Sequence, residues 1–281
     1  MNKIGLVAGG GEYPVVFASE AAAKGCAVHT VALEGSADKR LERLSASIKY
    51  FKLGQLSAPI KSLREAGVVK AVMAGLVRHG SIFSVLSADL RAAAFLARLP
   101  DFRAESILGA IVKEFAKDGI EIISSATFLE HLLPAPGLLG RVKPDKLQEK
   151  SIDFGRKIAK KLAEADVGLT VVVCDRMVVA LEALEGTDAC IVRSGDLYRA
   201  AVAGEKINTG KSSGLVVVKV ARPRQDFRFD LPVIGVRTIE SMARAGAKTL
   251  AIEAGSTLIL SRPEVVAKAD SEGISITAFP A

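Results

Sequence analysis

From the N-terminus to about residue 123, short unbroken apolar runs alternate with longer stretches whose apolar residues recur every three to four positions. The unbroken runs read as strands buried on both faces, and the recurring pattern reads as helices. Strands are predicted at Ile4–Ala8, Ala27–Leu33, Ile48–Phe51, Val68–Met73 and Ile120–Ile123. Helices are predicted over Tyr13–Lys24, stopped by Gly25, and over Ser57–Glu65, stopped at Gly67. Two more are predicted over Phe83–Ala97 and Glu105–Lys117. Strand-helix alternation of this kind predicts a doubly wound, Rossmann-like parallel sheet.

The periodicity fails at LLPAPGLLGRVKP, where prolines and glycines crowd between Leu132 and Pro144. This stretch is the best linker candidate in the chain. The prediction is therefore an α/β protein of two domains: 1–133, a linker over 134–145, and 146–281. The second part opens with a helix over Lys146–Glu164. Leu169–Cys174 and Met177–Leu181 flank Asp175-Arg176 as a hairpin. Glu185–Asp188 reads as a loop before a short helix, and Gly214–Val220 as a strand. ARPRQDFRFDLP fits neither period. A helix over Gly235–Ala245, strands at Thr249–Glu253 and Leu258–Leu260, a helix over Pro263–Glu272 and a strand at Ile274–Thr277 complete a mixed α/β domain.

Composition narrows the class. An apolar fraction of 49% and a charged fraction of 25% exclude a disordered or fibrous chain. No apolar run reaches the about 18 residues of a membrane span, and the N-terminus lacks a signal-peptide pattern. A cytoplasmic protein is expected. Cys26, Cys174 and Cys190 are odd in number, widely spaced and in apolar contexts, so reduced buried thiols are expected. His29, His79 and His131 lack metal-ligand spacing. A net charge of +7 suits a phosphate-rich substrate, an anionic membrane surface or nucleic acid. Nucleic acid is set aside, because aromatics are not interleaved with the basic residues and no binding motif appears.

Four stretches could carry chemistry. Gly9, Gly10 and Gly11 follow the first strand and precede a helix begun by Pro14, the place of a phosphate loop. A plain tight turn explains them too, and so does a damaged dinucleotide fingerprint with Glu34 on a ribose. Gly75 ends a strand at the same sheet edge, and Arg78 behind it could reach a phosphate. Glu185, Thr187 and Asp188 could hold a hard cation such as Mg²⁺ or sugar hydroxyls, or simply cap a helix. Lys219, Arg222, Arg224 and Arg228 stand near Asp226 and Asp230: cations for a diphosphate beside carboxylates for a metal, or a surface salt-bridge loop.

In order and spacing, GLVAGGGEYP, EGTDA, KVARPRQDFRFDLPVIGVRTIE and IEAGSTLIL resemble the LpxI family, the UDP-2,3-diacylglucosamine pyrophosphatases of lipid A biosynthesis. The resemblance spans nearly the whole chain. It implies two α/β domains in a clamshell arrangement and hydrolysis of UDP-2,3-diacylglucosamine to UMP and 2,3-diacylglucosamine 1-phosphate (lipid X), with Mg²⁺ or another divalent cation. It makes Asp230 the essential carboxylate; in the reading of the residues Asp230 binds the metal or orients the attacking water, and Asp188 or Glu185 shares the metal, Asp188 being the expected ligand. The resemblance supports a site at Glu185, Thr187, Asp188, Lys219, Gln225, Asp226 and Arg228, and Gly9, Gly10, Gly11, Gly75, Arg78, Arg222 and Thr238 are expected at the substrate with them. It leaves room for peripheral contact with the cytoplasmic face of the inner membrane and for a homo-oligomer. Three departures stand out. Only Glu105 remains where the family often has an Asp pair, Leu76 stands at an often polar position, and Arg222-Pro223 replaces Lys-Pro. The rival reading is a sugar-nucleotide or dinucleotide-binding protein, or an NAD-dependent oxidoreductase, without hydrolase activity. It predicts binding through Glu34 and no need for Mg²⁺.

Overall fold

The computed structural model describes residues 2–77, 89–101, 103–203, 213–223, 225–228 and 231–280. They fall into two compact units, Met1–Glu130 with a short piece around 226–228, and the rest of the chain.

In the N-terminal unit five parallel strands lie in the order β3-β2-β1-β4-β5. They are β1 (Lys3–Ala8), β2 (Ala27–Leu33), β3 (Ser47–Phe51), β4 (Lys70–Ala74) and β5 (Glu121–Ile122). The helices are α1 (Tyr13–Ala23), α2 (Leu41–Leu44), α3 (Ser57–Glu65), α4 (Leu90–Leu96) and α5 (Ala104–Lys117). The four-residue α2 has no counterpart in the periodicity, being too short to show one. On one sheet face Val31, Ala71 and Ile122 pack with Ile60 and Leu63 of α3 and Val112 and Phe115 of α5. α1 lies along β1, β2 and β4 and buries Phe17, Ala18 and Ala21. The chain leaves β1 toward β2 on one side and returns to β4 on the other. The carboxyl ends of β1 and β4 are thus the topological switch point, where doubly wound sheets hold ligands.

In the C-terminal unit a six-stranded mixed sheet runs β6-β13-β11-β9-β7-β8. Its strands are β6 (Gly137–Leu138), β7 (Thr170–Cys174), β8 (Met177–Leu181), β9 (Leu215–Lys219), β11 (Ala247–Glu253) and β13 (Ser275–Phe279). A separate parallel pair is formed by β10 (Val233–Ile234) and β12 (Leu258–Ile259). The helices are α6 (Lys146–Glu164), α7 (Thr187–Ala203), α8 (Val236–Ala245) and α9 (Arg262–Ser271). The runs TVVVC and LVVVK are apolar throughout because both faces are covered. Val171, Val173, Val216 and Val218 meet Ile152, Ala159 and Ala163 of α6. Their neighbours Val172, Leu215 and Val217 meet Cys190 and Ile191 of α7 and Ile239 and Met242 of α8. The hairpin between β7 and β8 turns at Asp175 and Arg176, both left-handed at φ 51° and 65°, the twist a tight hairpin requires. Asp145 caps α6 by accepting from the N–H groups of Leu147 and Gln148, and Gln148 bonds back to Asp145.

One expectation changes. The short helix after EGTDA is α7, Thr187–Ala203, so Thr187 and Asp188 open a helix rather than sit in a loop. Part of the stretch 134–145 bonds within the C-terminal unit. β6 pairs antiparallel with β13, and the Arg141 N–H donates to Asp270 at 2.8 Å. No described helix is long and apolar enough to cross a membrane.

Candidate functional site

The glycine loop of the N-terminal unit closes against the turn after β4. The Gly9 N–H donates to the Ala74 carbonyl at 2.8 Å. Gly10 and Leu76 exchange both backbone bonds at 2.9 Å, an isolated antiparallel bridge. A Cβ on Gly9 would stand 2.7 Å from the Leu76 carbonyl oxygen. One on Gly75 would stand 2.7 Å from the Gly10 oxygen, and Gly75 has φ +97°. Two backbones therefore touch here, which explains Gly9 and Gly75 without a ligand. The N–H groups of Gly9 and Gly10 already have protein acceptors, so a phosphate loop or dinucleotide site would lack those two donors. Gly11, at φ +91°, faces open space. Leu76, expected at an often polar position, is largely exposed.

α1 begins directly after this loop. The Tyr13 hydroxyl donates to the Ser125 carbonyl at 2.6 Å, and burial pushes its pKa up to about 12. Ser125 in turn donates to the Phe227 carbonyl from its N–H at 2.7 Å and from Oγ at 2.8 Å. Asp226 and Arg228 flank Phe227 as a chelating pair. Arg228 Nε and Nη2 reach the carboxylate at 2.6–3.1 Å, and this holds Asp226 below the usual carboxylate range. Arg78 and Asp230 lie outside the described residues, as do His79, Arg224 and the side chain of Glu105.

In the C-terminal unit the start of α7 meets the end of β9. Lys219 is buried, 5% exposed, and its ammonium donates to Thr187 Oγ1 at 2.7 Å. The Thr187 hydroxyl donates onward to Glu182 Oε1 at 2.9 Å. Glu182 is itself 9% exposed and also accepts from the Leu169 N–H at 3.3 Å. Lys219 and Thr187, predicted from separate motifs, are thus direct partners. Glu182 was not among the expected residues. In LEALEGTDA its spacing resembles that of Glu185, and only tertiary packing tells the two apart.

The other expected residues are engaged elsewhere. Glu185 turns to Arg193 at 2.5 Å, which holds its carboxyl below the usual range. Asp188 lies 3.8 Å from Arg237 on α8. Thr238 is buried at the start of α8, where its hydroxyl accepts from the Gly235 N–H at 3.5 Å. Arg222 pairs with Asp166 at 2.7 Å, and its N–H donates to Gln225 Oε1 at 2.7 Å, closing a turn. That turn is secured from behind by buried Glu253. The carboxylate accepts from the Ala221 N–H at 2.8 Å and from the Lys160 ammonium at 2.7 and 2.8 Å. Glu253 lies in IEAGSTLIL, one of the blocks that carry the resemblance, and was not among the expected site residues.

Among the described residues no three of His, Cys, Asp and Glu gather as a cation site. Asp188, Glu185 and Asp226 each face an arginine instead. The described carboxylates do not by themselves fit a divalent cation.

A model of the LpxI N-terminal domain matches residues 3–132, and one of the LpxI C-terminal domain matches residues 135–277. The chain belongs to the LpxI family. A curated relative, the UDP-2,3-diacylglucosamine pyrophosphatase LpxI of Caulobacter vibrioides, is 35% identical over 98% of this chain and 97% of its own. Among solved structures, the phosphoribosylglycinamide synthetase of Anaerococcus prevotii matches at 12% identity and a TM-score of 0.27, over 61% of this LpxI-family chain and 37% of that one.

Proposed function

We propose that this chain is a phosphoanhydride hydrolase that cleaves UDP-2,3-diacylglucosamine to UMP and 2,3-diacylglucosamine 1-phosphate (lipid X) in lipid A synthesis. The observation that carries the reading is the end-to-end match to the Caulobacter vibrioides pyrophosphatase. Asp230 is the essential carboxylate in this proposal, and it rests on the family motif. Dependence on Mg²⁺, and work at the cytoplasmic face of the inner membrane, belong to the proposal on the same ground.

The described geometry supports a choice among the expected cations. Arg222 and Arg228 each already face a carboxylate. Lys219 instead bonds the Thr187 hydroxyl directly, and its nearest carboxylate in that chain, Glu182, stands one hydroxyl further on. An ammonium shielded from water interacts strongly with phosphate, and it steadies the charge that gathers on a departing phosphate. Lys219 is the described cation we assign to the diphosphate, with Thr187 holding it in place.

The test is release of UMP from UDP-2,3-diacylglucosamine by purified protein with Mg²⁺, and its arrest by EDTA. Asp230→Asn should lower kcat on the order of a hundredfold or more. An inactive wild type sinks the reading. An Asp230→Asn variant within about twofold of wild type removes only that residue's role.

A further inference from the structure

Two of the motif blocks lie more than a hundred residues apart, yet one serine joins them. Tyr13 belongs to GLVAGGGEYP, and Phe227 to the QDFRFDLP run that leads to Asp230. Ser125, which is in neither block, accepts from the Tyr13 hydroxyl at 2.6 Å and sends two donors to the Phe227 carbonyl at 2.7 and 2.8 Å. It is 1% exposed, so water cannot replace these bonds cheaply. On either side of Phe227, Asp226 and Arg228 lock their own side chains together. This piece carries no helix or strand among the described residues, so no ladder of backbone bonds fixes it. Two donors on one carbonyl are therefore a large part of what sets its position.

We infer that Ser125 is a positioning residue for the hydrolysis: its hydroxyl and N–H hold Phe227, and with it the Asp226–Arg228 pair on either side, in one conformation. The inference rests on the proposed function and adds to it a residue outside every motif. Asp226 and Arg228, both expected at the substrate, lose their placement when the anchor between them loosens, and small misplacements cost catalysis more than binding. The Ser125 N–H remains in any substitution, so removing the hydroxyl alone weakens the anchor without abolishing it.

The experiment compares full-length wild type, Ser125→Ala and Ser125→Thr on UDP-2,3-diacylglucosamine, with amide hydrogen exchange over 225–231 and thermal melts in parallel. Ser125→Ala should lower kcat about tenfold with KM within about twofold. It should speed exchange in 225–231 at a nearly unchanged melting temperature, and Ser125→Thr, which restores the hydroxyl, should recover most of the rate. The inference is overturned if Ser125→Ala keeps wild-type kcat. It is also overturned if the rate falls only in step with the melting temperature, or if exchange in 225–231 does not change. A wild type without hydrolysis overturns the proposed function and this inference together. An active wild type with an indifferent Ser125→Ala overturns the inference alone.

Discussion

Tyr13 shows how much one buried polar atom can decide. Its hydroxyl has left water but keeps one partner, the Ser125 carbonyl, and its ionised form is disfavoured up to about pH 12. In the unfolded chain a tyrosine ionises near pH 10. The folded pKa is the higher one, so the neutral phenol's contribution is complete below about pH 10 and is lost as pH rises toward about 12. By about pH 11 the wild type should therefore have lost about 1 kcal/mol more stability than Tyr13→Phe, relative to neutral pH. Urea titrations at the two pH values check this, and equal losses would contradict it. Cys190 is governed by the same physics. Burial pushes its thiol up to about 12, and Cys174 is equally enclosed, whereas Cys26 is half-buried. In the native protein a thiol reagent should react quickly with Cys26 alone, and the other two should appear only with denaturant. Fast labelling of Cys190 in unperturbed protein would count against the packing of α7.

At the scale of elements, helix crossings explain glycines that no motif accounts for. Gly195 sits inside α7, where a Cβ would stand 2.6 Å from the Ala245 Cα and 2.8 Å from its carbonyl oxygen. The obstacle is the backbone of α8, which cannot turn aside as a side chain can. Gly195→Ala should destabilise the protein by about 1–3 kcal/mol despite alanine's better helix propensity. A rise in melting temperature would show that α7 and α8 have room to part. The strands TVVVC and LVVVK were legible from sequence because burial on both faces leaves an unbroken apolar run. α6 was legible because nineteen residues of amphipathic pattern follow an Asp cap. The length of α7 was not. Its apolar positions are diluted by Arg193, Asp196, Arg199 and two glycine or serine positions, so the pattern fades although the backbone continues. α2 is one turn long, too short for any period.

The whole molecule is an α/β chain with a parallel Rossmann-like sheet and a mixed sheet, and it belongs to the LpxI family from end to end. That much was legible from the alternation of runs and from four motif blocks, because burial on two faces leaves a local trace in the order of residues. Tertiary structure decided what the motif residues do. EGTDA contributes Thr187 to a buried chain with Lys219 and Glu182, while Glu185 and Asp188 turn to arginines. Gly9 and Gly75 let two backbones touch, and Gly10 lends both its backbone groups to the bridge. Ser125 ties Tyr13, 112 residues before it, to Phe227, 102 residues after it. Each of these partners is chosen by distance in space and by the need of a buried polar group to be satisfied. Spacing along the chain carries neither quantity: it could say that glycines, acids and cations were present, and only the fold could say which of them were already taken.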